Sequence, residues 1–140
     1  MASAPENRAA FVAALEKYEV QYTLNSFGTE LSVGVYPPMS NFRDFYIVAV
    51  FREDGLAMDL ITSSLPSLGS QMLGGLSLCN SLNASRMTPC FYIDDAGVMC
   101  AKAVFYLPGE PDGDQMFAAF VNFFNDIDIN YPYIMQAAQR

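Results

Sequence analysis

With 140 residues, 52% of them hydrophobic, the chain suits one globular domain with a sizeable core rather than a disordered segment. Seven basic against fifteen acidic residues give a net charge of −8, which disfavours nucleic acid and anionic membrane surfaces as partners. No apolar run is long enough to cross a bilayer, and charges interrupt the N-terminal stretch where a signal peptide needs its apolar core, so we expect a cytoplasmic protein.

The first part of the chain predicts a helix and a pair of strands. Apolar residues at helical spacing predict a helix over Pro5–Tyr18, with Ser3 or Ala4 at its N-terminal cap. After it, apolar and polar residues alternate over 20–25 and again over 31–36, which is the pattern of half-buried strands.

A second hairpin is predicted in the middle of the chain. The continuous apolar run Phe45–Phe51 is rich in aromatic and β-branched residues and predicts a central strand. Asp54-Gly55 predicts a two-residue turn, after which a returning strand begins at Leu56.

The stretch from Ser70 to Asp95 predicts an amphipathic helix that passes through a short polar turn into a β-hairpin. The apolar arc of this helix, laid on the sheet, consists of Leu73, Leu76, Leu78, Cys79 and Leu82. Asn80 and Asn83 also fall inside the arc, and a buried amide must be hydrogen-bonded. We expect backbone partners in the neighbouring strand or in the turn Ala84–Thr88. The alternatives are that Asn83 simply ends the helix, or that the two amides bind a ligand.

The remainder of the chain predicts two strands and a last helix. The strands cover 89–93 and 98–106, and Asp112 or Asp114 caps the helix. The buried face of this helix consists of Met116, Phe117, Phe120, Val121, Phe124 and Ile127. Pro132 is expected to kink or split the helix.

The predicted order is therefore helix, four strands, helix, two strands, helix. Short turns join most of the strands, so we expect an α+β domain in which three helices cover a largely antiparallel sheet. One face of the sheet then stays available to a partner.

Several features in this order resemble the YbjN-like family, described as bacterial sensory transduction regulators. They are an aromatic-rich hairpin over Phe45–Leu60, a helix ending in N-x-x-N at 80–83, a strand–turn–strand from Phe91 to Phe105, and a closing helix rich in Phe. Members are similar in fold to the small chaperones of type III secretion systems, which are short, acidic, usually dimeric and not enzymes. The resemblance implies a chaperone-like fold and a homodimer, and it supplies no catalytic residue. The apolar tail after Pro132 departs from the chaperone pattern.

Metal binding and catalysis find little support in the residue types, since the chain has no histidine. The D-x-D-x-N pattern at 126–130 begins like a calcium loop, but Tyr131 stands where the loop needs Gly and Ala137 where it needs a bidentate Glu. The three cysteines, Cys79, Cys90 and Cys100, form no C-x-x-C pair. We expect them to be buried and to pack as small hydrophobic residues. We expect no catalytic residue, no metal and no cofactor.

Three functional hypotheses follow. The first is a non-enzymatic regulatory protein that takes up a polypeptide by strand addition or in an apolar groove, with a type III secretion effector chaperone as its alternative. Its acidic charge would favour a basic segment. The second is a purely self-associating dimer, whose candidate interface residues are Phe123, Tyr131, Tyr133 and Met135. The third is an enzyme or small-molecule binder near Asn80 and Asn83, which the missing nucleophile and acid–base set disfavours.

Overall fold

The computed structural model describes residues 2–27, 30–37, 45–62, 65, 72–85, 89–107 and 109–139. Within these residues the chain forms four helices and one six-stranded antiparallel sheet, which confirms the α+β class. The helices are α1 (Ala4–Lys17), α2 (Met72–Ser85), α3 (Gly113–Ile129) and α4 (Tyr131–Gln139). The strands are β1 (Gln21–Phe27), β2 (Glu30–Tyr36), β3 (Ile47–Phe51), β4 (Ala57–Thr62), β5 (Cys90–Ile93) and β6 (Met99–Tyr106).

Helix α1 begins with a reciprocal cap. The Ser3 hydroxyl accepts a hydrogen bond from the Glu6 N–H at 3.3 Å, and the Ser3 N–H donates to the Glu6 carboxylate at 3.2 Å. Phe11 and Leu15, one turn apart, are fully buried. The Phe11 ring lies 6.1 Å from that of Phe120 on α3, so the two helices meet over the sheet.

The strands lie in the order β1-β2-β3-β4-β6-β5, so β1 and β5 form the two edges. The register of the first five of these strands aligns one residue from each strand in a row. This row lies on the face of the sheet that the helices cover. The row is Leu24, Val33, Ala49, Leu60 and Ala103. Its three middle residues are fully buried, whereas Leu24, at the β1 edge, is 55% exposed. The helices therefore cover the centre of the sheet more completely than its β1 edge.

The β3–β4 connection is longer than the two-residue turn that the sequence predicts. Residues 53–56 form it, and the Arg52 N–H donates to the Ala57 carbonyl at 3.1 Å to close it. Gly55 has a φ of +76°, and a Cβ at this position would run into the Ala2 carbonyl oxygen. The missing side chain of Gly55 therefore leaves room for the start of the chain to pack against the hairpin.

The predicted number of three helices is wrong, because the last predicted helix is split in two; the split is one of the two outcomes that the sequence predicts at Pro132. Asn130 ends α3, where its side-chain Nδ2 donates to the Asp126 carbonyl at 2.7 Å. The Asn130 carbonyl then accepts the N–H groups of Tyr133 and Ile134, each at 3.1 Å, which starts α4. Pro132 occupies the first turn of α4, where its missing N–H costs no helical hydrogen bond.

The broad apolar arc predicted for α2 is also wrong. Leu73 is 83% exposed and Leu76 49% exposed, whereas Gly75, Cys79 and Leu82 form a narrow buried stripe. Helix α2 contacts β5 and α4 rather than the middle of the sheet. Because it lies beside an edge strand, it has only a narrow face to bury.

Candidate functional site

An apolar groove of about 430 Å³ lies between α3 and the strands β4 and β6. On the sheet side it is lined by Leu60, Pro89, Ala103, Val104 and Phe105. On the α3 side it is lined by Gln115, Ala118, Ala119, Asn122, Phe123 and Asp126. The small side chains of the alanines at positions 103, 118 and 119 leave this space unfilled, because larger side chains there would fill it to the packing density of a core.

The groove is apolar at its floor and polar along one rim. Leu60, Phe105 and Phe123 supply the floor, and all three belong to the core or pack against it. Gln115, Asn122 and Asp126 are spaced seven and four residues apart along α3, which places them on one side of the helix. This arrangement suits apolar side chains in the floor and hydrogen-bond donors along the rim.

Catalytic chemistry is not assembled in this groove. Of the described residues that line it, only Asp126 is ionisable, and none offers a hydroxyl or thiol nucleophile. General acid–base catalysis needs a second positioned proton donor or acceptor. The groove can therefore bind and orient a ligand, and its residue types indicate no reaction.

The structure separates the two asparagines that the sequence singled out. The Asn83 Nδ2 donates to the Phe91 carbonyl, and its Oδ1 accepts the Phe91 N–H, both at 2.8 Å. Phe91 lies on the edge strand β5, the kind of backbone partner expected for this amide. Asn80 and Asn83 are both exposed, so their predicted place in a buried arc is wrong. Since both polar atoms of Asn83 are engaged with backbone, the two amides do not form a ligand site.

The four residues predicted as a self-association surface do not form one exposed patch. Phe123 is only 3% exposed, because it points from α3 into the groove floor, so this part of the prediction is wrong. Tyr133 is 58% exposed, whereas Tyr131 and Met135 are half-buried. Only Tyr133 therefore presents most of its side chain to a partner.

The cysteines are also divided between core and surface. Burial raises the pKa of the Cys79 and Cys100 thiols above the usual 9.0, and the Asp94 carboxylate, 3.7 Å from the Cys100 sulfur, raises that of Cys100 further. Cys90 is exposed, because it pairs with the exposed Lys102 on the face of the sheet opposite the buried row. The prediction that all three are buried is wrong for Cys90. Among the described residues, no three His, Cys, Asp or Glu side chains are placed to hold a metal ion.

Comparison with protein-family models, with curated proteins and with solved structures finds no match for this chain. In the part of the chain that the structure describes, no helix has both the length and the apolar character needed to cross a membrane.

Proposed function

We propose that this chain is a non-enzymatic polypeptide-binding protein of chaperone-like type with a regulatory role, and that the groove beside α3 receives its partner. The observation that carries the proposal is the apolar floor and one-sided polar rim of that 430 Å³ groove. The resemblance to the YbjN-like family, and through it to type III secretion chaperones, supports the same class of function. A chaperone for a secreted effector is the narrower form of the proposal.

The rim favours a polypeptide over a compact small molecule. The amides of Gln115 and Asn122 can each donate to and accept from the backbone of an extended segment that runs along α3. Asp126 and the net charge of −8 favour a segment in which basic residues stand next to apolar ones. The expected partner is therefore an amphipathic, basic segment.

Replacement of Ala118 tests the groove directly, because this exposed alanine lines it and a large side chain there would obstruct the floor. Fluorescent peptides of about ten residues, alternating leucine with lysine or leucine with glutamate, span such a groove in an extended conformation. In anisotropy titrations we expect Ala118→Trp to weaken binding of the leucine–lysine peptide about tenfold. We also expect the leucine–glutamate peptide to bind more weakly to the unaltered protein.

The matched control is Ala84→Trp, which adds the same bulk to an exposed alanine on α2 away from the groove. Equal affinity of Ala118→Trp and the unaltered protein for the leucine–lysine peptide would reject the groove as the binding site. No binding of either peptide at high micromolar concentration would count against the polypeptide-binding function itself.

A homodimer is part of the proposal, and a purely self-associating protein is the alternative function. In that alternative the interface lies on α4 and the end of α3, where Tyr133 is 58% exposed and Ile129 is 69% exposed. Sedimentation at micromolar concentration tests the dimer. A cytoplasmic location stays a prediction, which fractionation of the source cells would check.

A further inference from the structure

Strand β1 forms one of the two edges of the described sheet. It lies at the end of the sheet, and among the described residues no strand pairs with its outer side. Its seven residues, QYTLNSF, include no charged residue and no proline. Natural sheets protect their edges with charges, proline, bulges or covering segments, because unpaired backbone groups recruit further strands. The sequence of β1 therefore leaves its edge able to pair.

The opposite edge differs. Both polar backbone groups of Phe91 on β5 are bound by the Asn83 amide, so they point away from β6 and are already satisfied. A strand that approached β5 would have to displace this amide. Pairing between sheets is therefore directed to β1.

On the helix-covered face, the side chains beside the β1 edge are apolar apart from Arg8. Leu24 is 55% exposed and borders a groove of about 370 Å³ between α1 and the strands β1 and β2. The groove is lined by Pro5, Arg8, Ala9, Val12, Leu24 and Leu31. A strand laid along β1 would cover Leu24 and close the open side of this groove, which removes apolar surface from water.

We propose that the occupant is a second copy of this chain, and that two copies pair antiparallel through β1 into one continuous sheet. This inference rests on the homodimer part of the proposed function and not on polypeptide binding. A two-fold axis normal to the sheet near Leu24 relates the copies. Residues that face each other in an antiparallel pair lie on the same side of the sheet, so Leu24 meets the partner's Leu24 below the helices.

Charge argues for self-pairing at this edge. Two copies that each carry −8 repel each other wherever acidic surfaces meet, whereas β1 brings no charged residue to the seam. Because the β5 edge is occupied by Asn83, the association is isologous and stops at two copies. An isologous contact needs only the surface that the chain already presents.

The full-length chain and two edge variants test the proposal by sedimentation equilibrium. Leu24→Lys places two like charges directly across the seam, and we expect it to raise the dimer dissociation constant at least about tenfold. Thr23→Lys places two like charges on the diagonal of the pair, and we expect it to raise the constant about threefold. Thr23 is exposed and polar, so Thr23→Lys carries the test even where the other variant folds poorly. The control, Tyr133→Lys, charges the exposed α4 position and should leave the dimer unchanged. Thermal melting confirms that the variants fold.

A monomeric wild-type chain at tens of micromolar would overturn the proposal, as would a dimer that tolerates both edge variants. A dimer lost only in Tyr133→Lys would move the interface to α4 and also overturn it. The leucine–lysine peptide titration on the same variants keeps the two proposals apart. Peptide binding that persists in a monomeric chain removes the dimer alone, whereas an edge-sensitive dimer that binds no peptide removes the groove function alone.

Discussion

The two edge strands of the sheet, β5 and β1, are alike in lacking charged residues and differ in what lies against them. The four-residue strand β5 has one rung of its outer edge occupied by the Asn83 amide. The seven-residue strand β1 has no such partner among the described residues, and exposed Leu24 stands beside it. One side chain thus protects the β5 edge, and the proposed association of two copies uses the β1 edge.

The largest expected effect comes from removing the amide that protects β5. Asn83→Ala deletes two hydrogen bonds, and the free energy of unfolding should fall by about 2 kcal/mol in urea titrations. With both edges then open, sedimentation should detect species larger than the dimer, because a second edge allows pairing to continue.

Asn80→Ala is the matched control on the same helix. Asn80 is exposed, and alanine is the better helix former, so its replacement should leave the stability unchanged or slightly raised. Equal stability losses in the two variants would contradict the different roles that the structure gives these asparagines.

Thiol labelling distinguishes the surface of β5 from the core behind it. At about pH 8 we expect Cys90 to react at least about tenfold faster than Cys79 or Cys100. The pKa values of the buried Cys79 and Cys100 thiols are raised above the usual 9.0, so a higher pH is needed to convert these thiols to the reactive thiolate. Mass spectrometry of partly labelled protein gives the order of modification, and Cys90→Ser should abolish the fast phase.

Salt should shift the two proposed associations in opposite directions. Between about 0.05 M and about 0.5 M salt, screening should strengthen the dimer of two acidic chains about threefold. The same change should weaken binding of the leucine–lysine peptide, because that contact gains from charge attraction. A dimer that weakens with salt would indicate an interface built on ion pairs and would contradict an uncharged seam.

The sequence predicts local features well where the chain itself supplies the cause. The Ser3 cap follows from its spacing to Glu6, and the central position of β3 follows from an apolar run too continuous for a half-exposed strand. The backbone partner of Asn83 is also predictable, because a polar amide on a helix that precedes a strand has few other partners.

Features that depend on how distant elements meet escape such reasoning. The helical spacing of apolar residues in α2 predicts burial of Leu73 and Leu76, but it cannot indicate that α2 lies beside an edge strand instead of over the sheet. The groove forms because strand register and helix placement bring Ala103 and Ala118 to the same space, and neither alanine indicates a site by itself. Phe123 is one of several phenylalanines on α3, so its residue type is compatible with an interface as well as with the groove floor.

Hydrogen exchange on the full chain, with and without saturating leucine–lysine peptide, tests the central claim that the α3 groove binds a polypeptide. The account predicts added protection of amides in β6 and along α3 around Asn122, since a bound segment would exclude water and stabilise both walls. The protection of β1 should follow protein concentration and not peptide. Peptide-induced protection confined to β1, with none in α3 or β6, would contradict the account and make strand addition at the open edge the mode of binding.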